Sequence, residues 1–220
     1  MSGSSPRGAI VYASGMEEET ISRQFSPDEK GMLLEYVLDS VWTVADELTV
    51  VFKNEPDLSL VEAISPFGAK VINVANGDSP SSAVLSAFKS SRAEHCVLVT
   101  EKVPLLKPNV VLALFDGARG FDLAIPRWED GRIEPMLAVY RGKALLRLSS
   151  SLKDPLTPEV SGAMKLLSDQ LFDVKYLSVE GELKELDPEL DSFLKVDSDA
   201  TLSQARIKAS VKGNKQKKAD

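Results

Sequence analysis

Reactive side chains are scarce in this chain, which has a single cysteine and a single histidine among 220 residues. Cys96 alone excludes an intramolecular disulfide, and its place in the apolar run Cys96-Val-Leu-Val99 makes it a core residue rather than a nucleophile. His95 begins that run instead of ending it, the wrong side of a parallel sheet for chemistry. No stretch approaches the ~18 apolar residues of a membrane span, and the opening Met1-Ser-Gly-Ser-Ser-Pro-Arg lacks the apolar centre of a secretory signal. The expected location is therefore cytoplasmic, with no membrane partner. There is also no internal repeat and no Pro- or Gly-rich linker to divide the chain. A single α/β domain is the expected size class.

What is present is charge, unevenly spread. Residues 208–220 hold five lysines and one aspartate, so the net −7 is an acidic body of −11 carrying a +4 tail. An acidic body argues against broad nucleic-acid binding. The lysine-rich end is expected to be a solvated, disordered tail, with contact to an anionic partner as the alternative. The expected organisation is thus one domain over residues 1–207 followed by a basic tail over 208–220.

Strand and helix patterns alternate along that domain. Ala9-Ile-Val-Tyr12 reads as a strand, and residues 31–44 as an amphipathic helix with Leu33, Leu34, Val37, Leu38 and Val41 on its inner face. Strands are expected at 48–52, 71–74 and 96–100, with helices at 58–64, at 81–90 behind Ser79-Pro80, and after Lys107-Pro108. Residues 122–126 and 134–140 flank a turn, Trp128-Glu-Asp-Gly131, whose Asp130-Gly131 pair is a hairpin signal. A helix over 158–170, a strand over 174–179 and a helix over 199–207 complete the domain. The expectation is a mostly parallel, Rossmann-like sheet with an antiparallel hairpin insertion and helices on both faces. Trp42 and Trp128 are expected as a core and a turn-covering residue. In such a sheet the ligand lies beyond the carboxyl ends of the strands where the order reverses, which points to the loops after Tyr12, Asn76 and Thr100.

Those loops carry a resemblance. Val11-Tyr-Ala-Ser-Gly15 through Arg23 to Lys30-Gly-Met-Leu-Leu-Glu-Tyr-Val37 is similar to the opening of molybdenum cofactor guanylyltransferases and related nucleotidyltransferases, Leu-Ala-Gly-Gly-x-Ser-x-Arg-Met-Gly-x-Asp-Lys followed by Gly-x-Pro-Leu-Leu-Glu-His-Val. Four further stretches follow in family order: Ser79-Pro-Ser-Ser-Ala-Val-Leu85, Val97 to Pro108, Gly131-Arg-Ile-Glu-Pro-Met-Leu-Ala-Val-Tyr140, and Phe193-Leu-Lys-Val-Asp-Ser-Asp-Ala-Thr-Leu202. Together they cover residues 9–207.

The resemblance implies attack of a phosphate on the α-phosphorus of a nucleoside triphosphate, GTP by family, with pyrophosphate leaving. It implies a small phosphate acceptor such as molybdopterin and a Mg²⁺ ion. Such transfer needs positioning and charge neutralisation more than covalent chemistry. Carried over residue by residue, Ala13, Ser14 and Gly15 would cradle the phosphates, and Asn76, Pro80 and Ala83 would flank the base. Arg23 falls on or beside the family's loop lysine, as a phosphate cation or else a solvated arginine behind Glu17, Glu18 and Glu19. Aligning Pro104 with the family's Asp-Met-Pro puts Lys102 where a metal-binding aspartate is expected. Lys102 can neutralise a phosphate but cannot ligate Mg²⁺ while charged; the resemblance offers Glu101 as a metal carboxylate only if the loop shifts by one residue, and Asp197 at the family's second asparagine, where metal-facing polar groups stand. Ser14 replaces a family glycine and Leu137 the family histidine. The alternatives to a guanylyltransferase are a non-catalytic nucleotide-binding or regulatory protein of the same fold, and a transferase acting on a sugar phosphate or other small phosphate.

Overall fold

The computed structural model describes residues 5–13, 27–52, 55–73, 80–144, 146 and 172–216. The first half winds as β1 (Arg7–Tyr12), α1 (Pro27–Trp42), β2 (Glu47–Phe52), α2 (Leu58–Ile64), β3 (Lys70–Asn73), α3 (Pro80–Ser90), β4 (His95–Thr100) and α4 (Pro108–Gly117). The second half supplies β5 (Leu123–Arg127), β6 (Leu137–Arg141), β7 (Val174–Ser178) and the C-terminal helix α5 (Asp199–Gln216).

These seven strands form one sheet in the order β3-β2-β1-β4-β6-β5-β7. Strand β6 alone runs antiparallel, pairing with β4 on one side and β5 on the other. The expected hairpin is therefore spliced into the sheet between two parallel strands. Its tight end is the Arg127↔Ile133 bridge, closed by the Gly131 N–H donating to Trp128 O at 3.0 Å. Gly131 has φ 88°, a left-handed conformation that glycine adopts without steric cost.

Alternation along the strands divides the core in two. Ala9, Val11, Val97 and Val99 face a layer built by Leu34, Val37, Leu38 and Val41 of α1, Leu60 and Ile64 of α2, and Val110, Val111 and Leu114 of α4. Ile10, Val51, Cys96 and Leu98 face the other side, where α3 lays Val84, Ala87 and Phe88. Both faces of β1 and β4 are covered, which is why those strands read as continuous apolar runs. Leu33 steps out of the α1 stripe into a third, smaller cluster with Leu105, Val196, Leu202 and Ala205, which seats α5 beside the loop after β4.

Two expectations change. Trp42 is 54% exposed, because it ends α1 one helical step off the buried Val41 and stacks edge-on against Phe67 at the surface. Helix α5 does not stop near residue 207 but continues to Gln216. Lys208, expected in solvent, places its ammonium 2.5 Å from Oδ1 of the buried Asp191, and that pair carries the helix past the expected end. The helix expected over 158–170 lies outside the described residues.

Candidate active site

Strands β2 and β3 lie on one side of β1 and β4 on the other, so the winding reverses between β1 and β4. A crevice opens at such a reversal because the chain leaves the two strand ends in opposite directions. Tyr12 pairs with Thr100, which ends both strands level at that point. β1 is prolonged by the Ala13 N–H, which donates to Val51 O at 2.8 Å, and β4 by the Glu101 N–H, which donates to Tyr12 O at 3.4 Å. Arg127 and Ser178 end β5 and β7 at the same edge of the sheet.

Ala13 is buried, so only its main chain meets the loop that follows. Ser14, Gly15 and Arg23 lie outside the described residues, as does Asn76. Strand β3 ends at Asn73 at this edge, and Pro80 opens α3. Ala83 turns its methyl into the core with Ile10 and Val51.

The loop after β4 separates two neighbours by environment. Glu101 is fully buried, and the Thr100 hydroxyl donates to its Oε2 at 2.9 Å. Lys102 is partly exposed, and among the described residues no carboxylate pairs with its ammonium. Its carbonyl accepts the Val196 N–H at 2.7 Å, a contact that brings Asp197 to the same loop across 95 positions of sequence. Asp197 is exposed and begins the cap of α5: the Asp197 and Ser198 N–H groups donate to Thr201 Oγ1 at 3.1 and 3.0 Å, and the Thr201 N–H returns to Ser198 Oγ at 3.3 Å. This reciprocal arrangement is a capping box, and it fixes the backbone that presents the Asp197 carboxylate.

Further along the edge, two side chains that sequence reasoning passed over, Glu134 and Lys195, form a knot with Trp128. Glu134 is nearly buried, accepting from Trp128 Nε1 at 2.9 Å and from Lys195 Nζ at 2.7 Å. Trp128 covers the turn as expected, edge-on to Phe193 at 5.4 Å and beneath the Arg132 guanidinium. Glu134 and Lys195 both lie inside the quoted motifs, Glu134 at a position where the family pattern allows any residue and Lys195 at one where the family has an asparagine. A polar hollow of about 430 Å³ opens beside the turn, lined by Arg127, Trp128, Gly131 and Ser178. The Arg127 guanidinium stacks on Tyr176 at 4.7 Å, and among the described residues no carboxylate pairs with it.

The donor set bears on a metal. Among the described residues no three His, Cys, Asp or Glu side chains are grouped so as to hold an ion. One exposed and one buried carboxylate beside a lysine suit a Mg²⁺ ligated largely by substrate phosphates, the usual habit of that ion, and not an all-protein cage.

At the opposite edge, His95 opens β4, its Nε2 3.4 Å from Phe121 O. Burial pushes the Cys96 thiol up to about 11. Both residues are remote from the crevice, as their sequence positions imply.

A mostly parallel sheet with its winding reversed between β1 and β4 defines an α/β protein with a ligand crevice at its carboxyl edge. The chain belongs to the MobA-like NTP transferase family, whose profile matches residues 15–173. It is 28% identical over 201 residues to a probable molybdenum cofactor guanylyltransferase of Methanosarcina mazei, covering 87% of this chain and 86% of that protein. A probable molybdenum cofactor guanylyltransferase of Methanosarcina acetivorans is likewise 28% identical, over 204 residues, with the same coverage. Among solved structures, molybdopterin-guanine dinucleotide biosynthesis protein A of Archaeoglobus fulgidus superposes with a TM-score of 0.65 at 21% identity, covering 92% of this chain and 98% of that one. At that identity the likeness speaks for the fold. No helix among the described residues is long and apolar enough to cross a membrane.

Proposed function

We propose that this protein transfers GMP from GTP to the phosphate of molybdopterin, with release of pyrophosphate. The observation that carries the reading is the Lys102 ammonium, without a carboxylate partner among the described residues, at the switch point of an NTP transferase fold. The names of the Methanosarcina relatives support the choice of GTP and of the acceptor.

In this reaction an oxygen of the acceptor phosphate forms a bond to the α-phosphorus while the bond to the bridging oxygen of the β-phosphate breaks. Negative charge builds on the pyrophosphate that leaves. Lys102 offsets that charge from the loop after β4, and Arg23 does so from the loop after β1, where main-chain N–H groups of Ser14 and Gly15 hold the phosphates just beyond Ala13, whose own N–H is taken by Val51 O. The guanine lies against the turn that runs from Asn76 to Pro80, while Ala83, with its methyl in the core, anchors the helix behind that turn. Asp197, with Glu101 behind it, would hold a Mg²⁺ ion that neutralises phosphate charge when bound. An ammonium there can neutralise phosphate charge directly, which is why a lysine is tolerable where the family expects an aspartate.

Calorimetric titration with GTP, CTP, UTP and ATP, each with and without Mg²⁺, tests the reading. GTP is expected to bind tightest, with Mg²⁺ dependence increased by Lys102→Asp. Equal affinity for all four triphosphates, or none for any, would overturn it.

A further inference from the structure

Behind the candidate site lies a buried carboxylate, paired with an ammonium, that has no part in the proposed chemistry. The Asp187 side chain is fully buried, with Lys107 Nζ 2.5 Å from its Oδ1. Its Oδ2 accepts the Ser192 N–H at 2.7 Å. Ser192 is itself fully buried, and its hydroxyl accepts the Lys107 N–H at 3.0 Å. Lys107 is the N-cap residue of α4, directly after the loop that holds Lys102. Between Asp187 and Ser192 the chain makes a turn through Leu190, which has φ 52°, a conformation a branched side chain adopts only when its surroundings impose it. The Leu190 N–H donates to Asp187 O at 2.8 Å and its carbonyl accepts the Phe193 N–H at 3.0 Å.

We infer that Asp187 is a positioning residue, which, through Lys107 and Ser192, clamps the segment carrying Asp197 in register against the loop carrying Lys102. Two independent ties join these segments: the Lys107–Asp187–Ser192 knot at one end and the Val196 N–H to Lys102 O bond at the other. Asp197 stands one residue beyond the second tie. A buried carboxylate paired with an ammonium is a weak source of stability, since apolar residues of similar size can replace it at little cost, but the Lys107 contact and the two Ser192 bonds are met together in one alignment only. Its position behind a charged site is that of a supporting shell, whose loss ordinarily costs 10–100-fold in the function it supports. The consequence for the reaction rests on the reading that Lys102 and Asp197 face the triphosphate.

Amide hydrogen exchange and steady-state kinetics on the full chain separate the two claims. In Asp187→Asn the Val196 amide is expected to exchange at least about tenfold faster while Val97 and Val99 of β4 keep their protection. Turnover of GTP is expected to fall about 10–100-fold in kcat, with a smaller change in KM. The double variant Lys107→Met/Asp187→Leu preserves packing volume and serves where the single variant fails to fold. It is expected to melt near the wild type, with the Val196 amide as fast as in Asp187→Asn. Wild-type protection at Val196 in the double variant would overturn the clamp. So would full kcat in a variant whose Val196 amide has been released. A wild-type protein that turns over no triphosphate would defeat the proposed reaction, while the exchange rates would still decide whether Asp187 sets the register.

Discussion

Two sets of cations, one at each edge of the sheet, meet different surroundings. At the amino edge Arg92 binds Glu47 at 3.0 Å, Arg119 binds Asp116 at 2.7 Å and Arg141 binds Glu94 at 2.6 Å. Arg7 there donates its main-chain N–H to Asp46 at 2.8 Å. At the carboxyl edge Arg132 binds Asp130 at 2.6 Å and Lys195 binds Glu134 at 2.7 Å, whereas Lys102 and Arg127 have no carboxylate among the described residues. The first set closes on itself, and such exposed pairs contribute about 0–1 kcal/mol each. Lys102 and Arg127 keep their positive charge unpaired among the described residues of a chain of net charge −7. The contrast singles out Lys102 and Arg127, not the carboxyl edge as a whole, as the cations to test against an anionic ligand.

The strongest way to break this contrast is to remove one cation from each edge. Lys102→Ala is expected to lower kcat/KM for GMP transfer about 100–1000-fold, the scale for losing one preorganised charge partner of a developing oxyanion, with Tm unchanged. Arg92→Ala is expected to leave kcat/KM within about twofold, as befits an exposed pair. Equal effects on activity would erase the distinction between the two sets.

Substitution of Arg127 sharpens the picture within the carboxyl edge. If the hollow beside it takes the acceptor, Arg127→Ala should raise the acceptor KM about 10-fold, the low end for a charge-assisted hydrogen bond, and leave the GTP KM alone. Steady-state kinetics with each substrate varied in turn measures this. A rise in the GTP KM instead would assign Arg127 to the nucleotide.

At the amino edge the expected effects fall on stability. A Cβ added at Gly8 would lie 2.6 Å from Cys96 Sγ and 3.1 Å from Ala93 Cβ, so Gly8→Ala must displace the β1–β4 contact. The cost is about 1–3 kcal/mol, seen as a Tm lower by several degrees in a chain of this size, with kcat/KM retained in the folded fraction. Cys96 gives the smallest effect. Its thiol is pushed up to about 11, so the reactive thiolate is nearly absent at pH 8 and grows only as pH approaches that value. Alkylation at pH 8 should be much slower than for an exposed thiol and should not touch activity before it unfolds the protein.

Much of this was legible in the sequence. The apolar runs around Ile10 and Val97 announced doubly covered parallel strands, and the stripe from Leu33 to Val41 announced the helix beside them. The Asp130-Gly131 signal located the turn, although local pattern could not show that β6 would be inserted between β4 and β5. That pairing is a long-range choice made by packing. Lys102, Glu101 and Asp197 were chosen from motif order, and the structure joins their segments through a main-chain bond that no spacing reveals. Trp42 misled because hydrophobicity was read without its helical phase, which carries it one step past the buried face. The end of α5 was missed because a lysine-rich run reads as solvated, whereas Lys208 has a buried partner in Asp191. Asp187 and Ser192 gave no signal at all, since a buried polar residue is recognisable only from its partners.

Pyrophosphate release with GTP and molybdopterin as the substrate pair is the measurement that tests the central claim most directly. The account predicts release with that pair, lost in Lys102→Ala and retained in Arg92→Ala. GTP binding without pyrophosphate release in the wild type, or release undiminished in Lys102→Ala, would contradict it.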